Sequence, residues 1–139
     1  MGRAEADTPL SAALTAVGDR WTLLVVDALL DGPKRFGDLQ SAVPGIAPNI
    51  LTARLRQLEE EALIVATRYQ DRPPRFVYEP AAAARELAPA LRLLADWGAR
   101  HREPEMPRHS VCGTPLQARL YCPTCEAPVD EVGDEDVEL

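Results

Sequence analysis

The sequence predicts a mainly α fold with one small β-hairpin, and three observations predict it. Apolar residues recur at helical spacing up to about residue 63. The period then changes, and two β-prone runs flank a Pro-Pro turn. An alanine-rich helical stretch follows, before the composition shifts to a Cys/His cluster and an acidic end.

The elements follow in order. Leu10, Leu14 and Val17 form the first helical stripe, which Gly18 ends. Trp21, Leu24, Val25, Ala28 and Leu29 form the second, closed by Asp31-Gly32-Pro33. Phe36, Leu39 and Val43 mark a short third helix, broken by Pro44-Gly45. A fourth starts at Pro48, where proline suits the first helical position, with Leu51, Leu55, Leu58 and Ala62 as its apolar face. Residues 64–69 and 75–79 are strands joined by Asp71-Arg72-Pro73-Pro74. Leu87, Leu91, Leu94 and Trp97 give the last helix, in which Pro89 must sit near the start or cause a kink. Trp21 and Trp97 at helical spacing read as core, and His101 as a helix-end residue without a special role.

A chain of 139 residues is one domain with room for an appendage. The expected division is a domain over 1–102, a linker over 103–108, a Cys/His segment over 109–128 and a disordered acidic tail over 129–139. The polar, mixed-charge start argues against a secretory signal. The most apolar run, 21–30, is short and holds Asp27, so it cannot span a bilayer. A soluble, cytoplasmic protein is expected, with no membrane partner. The net charge of −7 disfavours nucleic acid at first sight. Its distribution reverses that reading. Between residues 32 and 78 seven basic residues face five acids, whereas from 103 onward two arginines face nine acids. A DNA duplex responds to the local field, not to the total.

Short helix, tight turn, second helix and hairpin is the order of a winged helix-turn-helix, whose second helix enters the major groove. With Leu51, Leu55 and Leu58 facing inward, Asn49, Thr52, Ala53 and Arg56 face outward, with Arg54 and Gln57 at the flanks. Asn and Gln suit adenine edges, and Arg suits guanine or phosphate. Arg35, Arg72 and Arg75 complete the expected DNA-binding set, the last two at the hairpin tip, placed for phosphates or a narrow minor groove. The plainer alternative is a solvated helix face on which Arg54 and Arg56 pair with Glu59 and Glu60.

Those residues resemble a known family. Gly18-Asp19-Arg20-Trp21-Thr22-Leu23-Leu24 and Leu30-Asp31-Gly32-Pro33-Lys34-Arg35-Phe36-Gly37-Asp38-Leu39 are similar to the HxlR-type regulators, relatives of the MarR-like proteins. The similarity continues through 44–59, Pro73-Pro74-Arg75-Phe76-Val77-Tyr78-Glu79 and Trp97-Gly98, and so covers about 9–101. It implies a homodimer built on the first and last helices, two recognition helices facing successive major grooves, and an operator-binding regulator, more often repressor than activator. Some similar proteins answer to oxidants or small electrophiles, so a small-molecule or redox effector is a further implied partner. Oxidant-responsive relatives carry a cysteine before a proline near the first helix, where this sequence has Thr8-Pro9. The recognition helix opens with Ala47, often Ser in the pattern, and alanine offers no capping oxygen.

All three cysteines fall in the tail. His109-x2-Cys112-Gly113, nine residues, then Cys122-Pro-x-Cys125 resembles the two knuckles of a zinc ribbon, with a strand expected within 117–121. A Cys3His site would hold structural Zn2+, with no open position for a substrate water. Glu126, water or His101 are alternatives to His109 as fourth ligand. Plain reduced thiols and a redox Cys-x-x-Cys are the competing readings. Peroxide release of the metal would make the site a switch. The acidic run from 130 onward reads as a solubilising end, with competition against DNA for the wing as the sharper idea.

The expected function is sequence-specific DNA binding by a dimeric transcription regulator. A protein-interaction module of the transcription machinery is the alternative, followed by a thiol redox protein. No catalytic constellation or phosphate loop stands out, so an enzyme is not expected.

Overall fold

A computed structural model describes residues 8–102, 108–117 and 119–129. Most of the predicted linker and of the acidic tail lies outside the described residues. Along the chain run α1 (Pro9–Val17), α2 (Arg20–Leu30), β1 (Lys34–Arg35), α3 (Phe36–Ala42), α4 (Pro48–Glu60), β2 (Ile64–Asp71), β3 (Pro74–Pro80), α5 (Ala82–Arg85), α6 (Ala88–Arg102), β4 (Leu120–Cys122) and β5 (Ala127–Val129). They fall into two compact units, 1–88 and 89–139. That division lies inside the stretch 1–102, which the sequence reading treats as one domain.

The first unit is a winged helix-turn-helix, set up by local chemistry. Thr8 caps α1 by accepting from the Ser11 N–H at 3.1 Å, and Pro9 occupies the first turn. Gly18 ends the helix where its N–H donates to the Leu14 carbonyl at 2.8 Å. A Cβ there would run into that same oxygen, so only glycine fits without a shift. Asp19 then caps α2, its carboxylate accepting from Trp21 N–H at 2.9 Å and Thr22 N–H at 3.2 Å.

Burial matches the predicted phase of α3 and α4, and that of α2 except that Leu24, placed on the stripe, is exposed while Val26 is buried. Val25, Val26, Ala28 and Leu29 of α2, Leu39 of α3, and Leu51, Leu55 and Leu58 of α4 are buried, joined by Val43, Ile46, Ile64 and Ala84. Each fully buried Leu or Val of this set stabilises the unit by roughly 1.5–3 kcal/mol relative to exposure. The first stripe behaves differently. Of α1, Val17 is buried, whereas Leu10 and Leu14 are exposed.

The end of α4 corrects one expectation. Ala62 does not extend the helical face. It lies past Glu60 with φ +57, while its N–H donates to Glu59 O at 3.0 Å and that of Leu63 to Leu58 O at 2.9 Å. These two bonds form a Schellman C-cap, with alanine at the left-handed position that glycine usually takes.

The wing is a three-stranded antiparallel sheet in the order β1-β3-β2. Ile64 pairs with Pro80 and Arg68 with Phe76. The register then shifts so that Gln70 meets Arg75, leaving Tyr69 as the extra residue of a bulge. β1 adds Lys34 opposite Tyr78 and Arg35 opposite Val77. Two residues are too few for an alternating pattern, so nothing in the sequence announced this strand.

The second unit holds α6 and the tail hairpin. Pro89 is the second residue of α6, so it starts the helix and does not kink it. None of the α6 residues is buried. Leu94 is 53 % and Trp97 48 % exposed, which corrects the reading of Trp97 as core. The Trp97 ring stacks on His101 at 4.8 Å between centroids, and His101 Nδ1 lies 2.8 Å from Trp97 O. β4 and β5 pair antiparallel, with Leu120 opposite Val129 and Cys122 opposite Ala127. The expected strand within 117–121 thus sits slightly later, and its partner β5 was not foreseen. No described helix is long and apolar enough to cross a membrane.

Candidate nucleic-acid interface

The recognition surface begins with how α4 is held. Three leucines bury one side of the helix, so residues at i, i+3, i+4 and i+7 on the other side must face outward. These are Asn49, Thr52, Ala53 and Arg56, and all four are exposed. The Thr52 hydroxyl donates to Pro48 O at 2.9 Å, which orients its methyl and remaining lone pair. Ala47 occupies the N-cap without a side-chain hydrogen bond, as its chemistry requires.

Arg54 takes a different place from the flanking DNA contact the sequence suggests. Its guanidinium turns along the protein, with Nε 3.0 Å from Asp19 Oδ1, an ion pair lacking a well-aligned hydrogen bond. Nη1 donates to Gln57 Oε1 at 3.4 Å. Gln57, half-buried, is thus drawn into the same contact. Asp19 therefore caps α2 and also grips α4. Sequence reading missed this link because neither side of it belongs to a local motif.

The wing contributes cations. Arg72 and Arg75 are exposed at the hairpin tip, as expected. Arg68 joins them, its guanidinium 5.5 Å from the Phe76 ring centre and 3.7 Å from Asp71. Arg35 stands at the start of α3, where its backbone N–H donates to the Asp38 carboxylate at 3.3 Å. Its guanidinium lies 4.5 Å from the centre of the Tyr69 ring. The bulge at Tyr69 places that ring beneath Arg35. A groove of about 440 Å³ lined by Arg35, Asp38, Tyr69, Arg75, Phe76 and Tyr78 runs along this root of the wing. Burial, followed by the Glu59 charge, raises the Tyr78 hydroxyl above its ordinary pKa, so it remains a neutral donor at the groove wall.

In the second unit the four predicted metal ligands form two pairs. His109 Nδ1 lies 3.3 Å from Cys112 Sγ, which also sits 3.2 Å from Thr114 Oγ1. Hydrogen bonds from Thr114, side chain then backbone, and from His109 lower the Cys112 thiol to about 7. Cys122 is lowered as well, by hydrogen bonds from the backbone and side chain of Cys125 and the backbone of Thr124. Among the described residues, no three Cys, His, Asp or Glu side chains converge on one point.

The profile of the HxlR-like helix-turn-helix family matches residues 16–106. An uncharacterized HTH-type transcriptional regulator of Mycobacterium tuberculosis is 38 % identical over 118 residues, 81 % of this chain and 74 % of that protein. The uncharacterized HTH-type regulator YdeP of Bacillus subtilis is 30 % identical over 95 residues, covering 68 % and 74 %. Among solved structures, PA1607, described as a candidate transcription factor, superposes with a TM-score of 0.74 at 28 % identity, covering 97 % of this chain and 95 % of that one. The redox regulator HypR in its reduced form gives a TM-score of 0.64 at 28 % identity, covering 69 % and 95 %.

Proposed function

The chain belongs to the HxlR-like helix-turn-helix family of DNA-binding transcription regulators, and on that premise we propose that it acts as a cytoplasmic homodimer repressing transcription from operator DNA. It is a binding protein, not an enzyme. One observation carries the reading. The α4 stripe of Asn49, Thr52, Ala53 and Arg56 is exposed on a helix whose opposite side is locked into the core. Asn49 and Arg56 would read base edges, while Arg72, Arg75 and Arg68 would neutralise phosphates beside them. Arg54 and Gln57 would act indirectly by holding the pose of the helix. Arg35, stacked on Tyr69, would meet the backbone at the wing root.

Dimerisation supplies the second recognition helix. Leu10 and Leu14 of α1, and Leu94 and Trp97 of α6, are exposed apolar side chains of the kind a second copy would cover. Because HypR is described as a redox regulator, a redox or small-molecule effector belongs to the proposal. Any thiol sensor here would have to use the tail, since all three cysteines lie there. Selection of sites from a random duplex pool tests the reading. Enrichment of an inverted repeat, with half-sites about one helical turn apart, is the expected result. Binding that is weak, equal on all duplexes and insensitive to salt would overturn it.

A further inference from the structure

We infer that His109, Cys112, Cys122 and Cys125 bind one structural Zn2+ that joins the two turns of the tail into a closed knuckle. The inference is independent of DNA binding and rests on three features of the second unit. The first is the shape of the turns. Gly113, with φ +71, donates its N–H to His109 O at 2.7 Å, and His109 N–H donates to Thr114 O at 2.8 Å. The second turn lies between β4 and β5 and closes with Glu126 at φ +52. Each turn therefore doubles the chain back tightly enough to aim residues i and i+3 the same way.

The second feature is how the sulfurs are addressed. Cys112 Sγ lies within hydrogen-bond reach of two side chains, His109 Nδ1 at 3.3 Å and Thr114 Oγ1 at 3.2 Å. The separation of His109 Nδ1 and Cys112 Sγ, 3.3 Å, is close to the edge of a tetrahedral zinc site. Ligands about 2.0 Å (N) and 2.3 Å (S) from zinc stand roughly 3.5 Å apart at the tetrahedral angle.

The third feature is the lack of any other staple. Among the described residues from 108 to 129 none is buried. Even so, the segment holds a paired hairpin, a bridge between Arg108 and Pro115, and the Arg108 guanidinium on Gly113 O at 2.9 Å. So short a segment without a core takes its order from a disulfide or a metal. The three cysteines are free thiols, available as metal ligands. Soft thiolates with one imidazole and a closed ligand set select zinc, whose binding would draw the two pairs together.

The test uses the full chain, purified reduced and without chelator. Elemental analysis should give one zinc per chain, and Co(II) exchange should produce the absorption of a tetrahedral thiolate centre. Cys112→Ser and Cys122→Ser should each lower metal affinity by more than the roughly 10–100-fold that loss of an outer partner costs. His109→Ala should retain cobalt with a shifted spectrum. The first unit carries its own core, so an unchanged helical melting curve in these variants separates metal loss from global unfolding. Metal-free protein without a cobalt spectrum would overturn the inference. So would a Cys122–Cys125 disulfide in place of metal, or full zinc retention by Cys112→Ser.

Discussion

Helices α4 and α6 are equally amphipathic, yet they meet opposite fates. α4 buries Leu51, Leu55 and Leu58, whereas no residue of α6 is buried. The pattern of a helix fixes which face seeks cover, but not whether its own chain supplies that cover. For α4 the chain does, and the free face is largely polar. For α6 the proposed second copy would have to do so, and the free face is apolar. A regulator that reads DNA with paired helices needs both kinds.

Substitutions on the two helices should separate these roles. The largest effect is expected from Leu55→Ala, which opens a cavity in the first unit and should cost about 2–5 kcal/mol in chemical unfolding. The equivalent change on the other helix, Leu94→Ala, should leave a much smaller stability loss at high dilution. If the two losses are equal at all protein concentrations, the contrast fails. Leu94→Asp should convert the proposed dimer to monomer in analytical ultracentrifugation, and an unchanged mass would remove α6 from the interface. Arg56→Ala should weaken operator binding by about 1–3 kcal/mol while leaving the melting temperature unchanged. Equal affinity for operator and random duplex in the wild type would instead discard α4 as the reader. The smallest effect has the opposite sign. Ala62→Gly should stabilise the first unit by up to about 1 kcal/mol, because glycine carries no penalty at φ +57. A destabilised Ala62→Gly would show that the cap is formed differently.

Much of this architecture was legible in the residues, for identifiable reasons. Helical phase is a repeated signal, so the buried leucines of α4 and the exposed Asn49, Thr52 and Arg56 could be placed together. Pro48 and the Pro73-Pro74 turn marked boundaries by their backbone constraints. The failures have physical causes too. β1 is two residues long and exists only because β3 offers it an edge. Arg54 looked like any exposed arginine because its partner, Asp19, is brought close only by packing of α2 on α4. Trp97 looked like core because a single chain's sequence does not distinguish a face covered internally from one awaiting a partner. In the tail the Cys/His spacing was visible, while the pairing of β4 with β5 depended on strands too short to alternate.

The junction after α4 carries a mechanical consequence. Leu63 donates to the last turn of α4 through Leu58 O, and its own carbonyl accepts from Ala81 N–H at 2.9 Å, where the wing returns. Helix α4 and the wing are thereby tied through one residue, whose N–H and C=O bond to either side. On the proposed mode of binding, a rotation of α4 would be passed to the wing through that residue. Within one copy, reader and clamp have little freedom to be tuned apart. If the proposed dimer answers to an effector, that effector would then act chiefly on the distance and angle between copies, and its trace would be a changed preference for half-site spacing with each half-site sequence read as before.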